Sequence, residues 1–93
     1  MEVVAIVRIF GPGRDGLPEP VENGLRPSFG FRGELVACEV WVEGVDGSVP
    51  LDTDVRAQIR VPYGSELGWR FVGGEFFTLN IASRVIGHGT VLP

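Results

Sequence analysis

The sequence predicts an all-β fold, a small closed antiparallel six-stranded β-barrel, and three observations carry that prediction. Fourteen glycines and seven prolines cut the chain into short segments. Those segments are rich in β-branched and aromatic residues, and no window sustains a helical period with capping signals. Closing the sheet on itself also removes the exposed edges that a chain this short would otherwise carry. Ninety-three residues supply one core, so 1–93 is read as a single domain.

The first element is "EVVAIVRIF", which places Val3, Ala5, Val7 and Ile9 on one face and Val4, Ile6, Arg8 and Phe10 on the other. A strand apolar on both faces is either central or covered by a partner. Residues 11–24 have turn chemistry throughout and form a long loop, read as functional or mobile. A strand around Phe29 and Phe31 follows, then a break at Gly33, then one strand over residues 35–42. After a turn-rich stretch, "VRAQIRV" alternates cleanly, with Val55, Ala57, Ile59 and Val61 inward and Arg56, Gln58 and Arg60 outward. "PYGSELGW" is a loop, and "EFFTLNI" and "RVIGHGTVL" are the last two strands, joined through Ala82 and Ser83.

Composition narrows the chemistry. No apolar run approaches the ~20 residues of a membrane-spanning helix, and residues 3–10, interrupted by Arg8, fail as a secretory signal. A cytoplasmic protein with no membrane partner is expected. One cysteine and one histidine exclude an internal disulfide and the usual zinc sets, so no metal is expected. All eight cations are arginine. Without lysine there is no phosphate-loop lysine, so GTP binding and cofactor chemistry of that kind are not expected. The net charge of −4 argues against non-specific nucleic-acid binding.

The order of segments then resembles the C-terminal β-barrel domain of elongation factor Tu. An Arg-Pro pair leads an aromatic strand ending in arginine (Arg26, Pro27, Phe29, Phe31, Arg32). A proline-aspartate turn opens a valine-rich strand (Pro50, Asp52, Asp54, Val55), and the final hairpin carries Phe77, Arg84, Gly87 and Gly89. The similarity covers residues 3–92 and implies a free-standing homologue of one domain. Ile81, Ala82 and Ser83 replace the family's polar, glycine-rich hairpin tip, and Gly33 and Glu34 replace its threonines. Those regions are among the surfaces with which the family touches the T-stem of aminoacyl-tRNA.

His88 lies between Gly87 and Gly89; two glycines two apart remove side chains on one face where another backbone or an aromatic ring approaches, which points His88 to the opposite face. With no carboxylate or nucleophile signalled beside it, it is read as structural, and no catalytic residue is assigned. Asp52 and Asp54 read as turn chemistry and Cys38 as a buried thiol. The aromatic residues are mostly core, with one or two exposed anchors. The candidate binding residues are Arg26, Arg32 and Arg84, whose planar donor forks suit anions, and Val4, Ile6 and Phe10, the second face of the first strand. The expected function is a non-enzymatic module that docks on a protein partner, another domain or a second copy. The alternative is an RNA-binding module for a tRNA stem, and a small enzyme ranks third.

Overall fold

Alternation sets the core of β1 (Glu2–Ile9): Val3, Ala5, Val7 and Ile9 are all buried, and Val4, Ile6 and Arg8 are half-buried on the other face. The computed structural model describes residues 1–14 and 16–93; Asp15, inside the predicted loop 11–24, lies outside them. Among the described residues the chain continues through a short 3-10 turn (Pro12–Arg14), β2 (Ser28–Phe31), β3 (Glu34–Ala37), β4 (Glu39–Val42), β5 (Asp54–Arg60), β6 (Phe76–Ile81) and β7 (Arg84–Val91). All pairings are antiparallel, in the order β3-β2-β6-β7-β1-β5-β4. No helix among the described residues is long and apolar enough to cross a membrane.

The fold is thus all-β, but it is an open, curled half-barrel of seven strands and not the closed six-stranded barrel that was expected. The expected single strand over residues 35–42 is two, β3 and β4, and the physical reason lies opposite Cys38. Cys38 N–H donates to Pro27 O at 3.2 Å. In an antiparallel ladder the reciprocal bond would come from residue 27, and proline has no N–H to give. The ladder skips a bond there and resumes in the same register at Leu25 and Val40, while on its other edge β4 gains β5 as a neighbour.

Two tight turns hold the hairpins. Between β2 and β3, Arg32 (φ 51) and Gly33 (φ 78) both lie in the left-handed region, the primed turn whose twist matches its strands. Between β6 and β7, Ala82 takes φ 54. The predicted loop 11–24 is tied down at its C-terminal end: Val21 is buried and its carbonyl accepts Val49 N–H at 2.8 Å. Asn23 Nδ2 donates to Val42 O (3.0 Å) and Val45 O (3.2 Å), while its Oδ1 accepts Val42 N–H (2.8 Å).

The core is aliphatic around β1 and β5, where Ala57, Ile59 and Val61 are buried and Val55 is half-buried. At the β2–β6 side it becomes aromatic: Phe29 stacks on Phe77 at 4.5 Å, and Phe31, Trp69 and Phe71 pack round them. The "GHG" glycines serve that packing. A Cβ on Gly87 would lie 2.6 Å from Arg8 O in the adjacent backbone, and one on Gly89 would enter the Phe77 ring. Between Leu79 and Asn80 the β6–β7 register shifts, and Ile86 becomes an extra, fully buried residue whose carbonyl accepts Phe10 N–H at 2.9 Å.

Gly87→Ala is expected to lower the unfolding free energy by about 1–3 kcal/mol, since the obstacle is backbone that cannot step aside. Gly13→Ala, where nothing lies within 4 Å of the added atom, should stay within about 0.5 kcal/mol of the parent. Urea denaturation of the two variants measures the contrast, and equal midpoints would contradict it.

Candidate functional site

The outer face of the sheet carries one continuous row of cross-strand neighbours, Leu35, Gly30, Thr78, His88, Arg8 and Asp54, running from β3 to β5. Its second member is a glycine. A Cβ on Gly30 would collide with Thr78 Oγ1 and sit 3.2 Å from Leu35 Cδ2, so only glycine leaves room for the Thr78 hydroxyl, which donates to Asn80 Oδ1 at 2.7 Å. The bare backbone there becomes the floor of an open cleft of about 410 Å³, lined by Arg32, Leu35, Phe76 and Thr78 among others. Leu35 is 54% exposed and Phe76 59%. Phe76 also meets His88 at 5.6 Å, and His88 meets Phe10 edge-on at 5.4 Å, which extends the apolar band to the end of β1.

This geometry brings together some of the sequence-predicted residues and separates others. Phe10 joins the band, and Ile6 stands on a parallel row beside it, Phe76–Thr90–Ile6–Arg56. Val4, facing Gln58, is further along β1. All three are half-buried, partly covered by neighbours within their own sheet.

The arginines do not converge. Arg32 sits in the β2–β3 turn, its Nη2 3.4 Å from Glu75 Oε2 and its guanidinium carbon 4.8 Å from the Phe31 ring centre. Arg84 pairs with Ile81 at the far end of β6, roughly 17 Å away at ~3.3 Å per residue. Arg26 is more loosely held, 3.7 Å from Glu39 Oε2, and Glu39 Oε1 in turn accepts Trp41 Nε1 at 2.7 Å. Planar forks spread in this way do not form one anion site.

The remaining polar candidates are occupied locally. Asp52 Oδ1 accepts Gly11 N–H at 3.0 Å and Asp54 Oδ1 accepts Arg8 Nε at 2.9 Å, both as turn and strand-end chemistry. Among the described residues no three of His, Cys, Asp and Glu are grouped to hold a metal ion. His88 has phenylalanine rings on two sides and is cross-strand to Thr78 and Arg8.

Sequence reasoning missed Leu35 and Phe76. The signal for their cleft was Gly30 between Phe29 and Phe31, a glycine inside an aromatic strand, which marks close approach or bare backbone. Trp41, 48% exposed, and Phe76 are aromatic residues outside the core. The chain matches no protein-family model, and no curated protein matches it.

Cys38 is buried, its Sγ 3.3 Å from Pro27 O. Burial, with a smaller contribution from the Glu39 charge, pushes its thiol up to about 12 from the ordinary 9.0. Above pH 9 the unfolded chain loses this proton and the folded chain keeps it, so the group lowers stability as pH rises from 9 towards 12 and has no effect below 9. Cys38→Ala should therefore flatten the alkaline fall in stability relative to the parent. Urea midpoints at pH 8, 9 and 10 test this, and parallel curves for the two proteins would contradict it.

Proposed function

We propose that this chain is a non-enzymatic protein-binding module, of the kind its resemblance to the C-terminal barrel of elongation factor Tu implies, and that it docks through the outer face around Gly30. The observation that carries the reading is the cleft with exposed Leu35 and Phe76 on either side of a glycine floor. Exposed apolar side chains scattered singly are ordinary; two of them flanking a concave floor and continuing into an aromatic band through His88 are the form a docking surface takes. Phe76 is the anchor expected to contribute most, since large aromatic side chains near the centre of an interface dominate its energetics.

The tRNA-stem alternative requires several arginines acting on one phosphate backbone. Arg32 and Arg84 stand at opposite ends of β6, and Arg32 is engaged by Glu75, so the arrangement favours a protein partner over RNA.

Phe76→Asp and Leu35→Asp are expected to keep the parent's circular dichroism and to lose, by at least tenfold, the partner that the parent captures from cell extract. Capture unaffected by nuclease supports a protein partner. Capture abolished by nuclease, or retained in full by both variants, would overturn the proposal.

A further inference from the structure

We infer that the free edge of β3 is a strand-addition site for an extended partner segment in which basic and apolar residues alternate. The inference rests on the protein-binding reading above and names the chemistry of the occupant.

The edge follows from the ladder. Cys38 N–H and Val40 N–H both point towards the strand that carries β2, to Pro27 O and Leu25 O. Alternation then turns the N–H and C=O of Glu34 and Val36 the same way and those of Leu35 and Ala37 the opposite way. Among the described residues the only ladder partner of β3 is β2, so two donors and two acceptors lie without a ladder partner on the edge along which β5 flanks β4, past the last β5 pair at Glu39 and Arg60. β3 has no proline, no lysine and no bulge to blunt this edge.

The edge of β4 shows the contrast. There residues 23–25 cover the backbone: Gly24 N–H donates to Val40 O (3.0 Å), Val40 N–H to Leu25 O (2.9 Å), and Asn23 exchanges two bonds with Val42. One edge of the 34–42 stretch is thus paired by residues 23–31 along its length, whereas among the described residues the opposite edge is paired by β5 only from Glu39 on.

Charge and shape select the occupant. The cations flanking β3 are engaged, Arg32 by Glu75 and Arg26 by Glu39, whereas Glu34 makes no ion pair among the described residues. The uncompensated charge along the edge is negative and calls for lysine or arginine opposite it. Leu35 points to the other face, beside the cleft over Gly30, and calls for an apolar side chain there. A strand that satisfies both alternates basic and apolar residues, with main-chain bonds supplying the register.

The probe is a capped ten-residue peptide of alternating lysine and valine, titrated into the isotope-labelled protein while amide hydrogen exchange is followed residue by residue. Exchange at Leu35 and Ala37 is expected to slow at least tenfold at saturation, with Glu34 and Val36, already bonded to β2, little changed. The same peptide with a central proline, or with glutamate in place of lysine, should not do this. Ala37→Pro removes an outward N–H, spares the β2–β3 ladder, and should weaken binding at least tenfold. Should that variant misfold, Glu34→Lys, on an exposed side chain, should reverse the preference towards the glutamate peptide.

No protection by the lysine peptide, equal protection by the glutamate peptide, or protection that appears on concentrating the protein alone would each overturn the inference, the last by assigning the edge to a second copy. If Leu35 and Ala37 stay unprotected while Phe76→Asp still abolishes capture, strand addition fails and the binding reading stands. If neither effect is seen, both fail.

Discussion

The pairing between residues 23–31 and 34–42 skips one bond at Pro27, which has no N–H to return to Cys38, and past that gap the second of the two stretches is shared between the first and β5. Up to that point the hairpin of β2 and β3 runs as a regular ladder. Beyond it the same stretch of chain has β5 on one edge and residues 23–25 on the other. The thiol beside the break is buried, and its hydrogen bond is aimed at the carbonyl of the same proline. The buried Cys38 fills the corner at the skipped bond, and because the β4–β5 ladder ends at Glu39 and Arg60, the side of β3 turned from β2 has no ladder partner among the described residues.

The glycines solve a related problem of space. β7 comes so near β1 that Gly87 meets a backbone carbonyl, and Gly89 gives way to Phe77, which stacks on Phe29. With Phe29 and Phe77 turned inward, the alternate positions of β2 and β6, Gly30 and Thr78, face outward as a small pair between the larger Leu35 and Phe76. The aromatic core and the outer cleft are thus two sides of the same pleat: filling one face with rings leaves a glycine on the other.

Sequence reading reached what alternation and turn chemistry encode locally. The inward faces of β1 and β5 were legible because each strand has a clean period of two, and the role of the "GHG" glycines was legible because they share one face of one strand. The break at Cys38 was not, since residues 35–42 read as one nearly continuous apolar run and the proline that withholds the bond lies eleven residues away, at Pro27. For the same reason strand count and closure were misjudged. Exposure of Leu35 and Phe76 was hidden too, because alternation tells which residues share a face and not whether anything covers it. The arginines illustrate the converse: residue type suggested an anion site, but type carries no information about separation, and Arg32 and Arg84 are set apart by the length of β6.

An open edge on a domain this small would be a liability if it bound strongly by itself, and the magnitudes show that it does not. Four backbone hydrogen bonds at ~0.5–1.5 kcal/mol each contribute about 2–6 kcal/mol, which does not reliably exceed the roughly 4–15 kcal/mol of lost rigid-body freedom on association. Two outward residues and one exposed carboxylate thus leave random pairing with other edges weak. One large apolar side chain buried beside Leu35 and Phe76 adds about 1.5–3 kcal/mol, and a basic residue opposite Glu34 adds a little more at an exposed site. Only a segment that engages the edge, the cleft and the charge together approaches useful affinity. The separation of these contributions over three adjacent features is what allows a short bare edge to be selective without being adhesive.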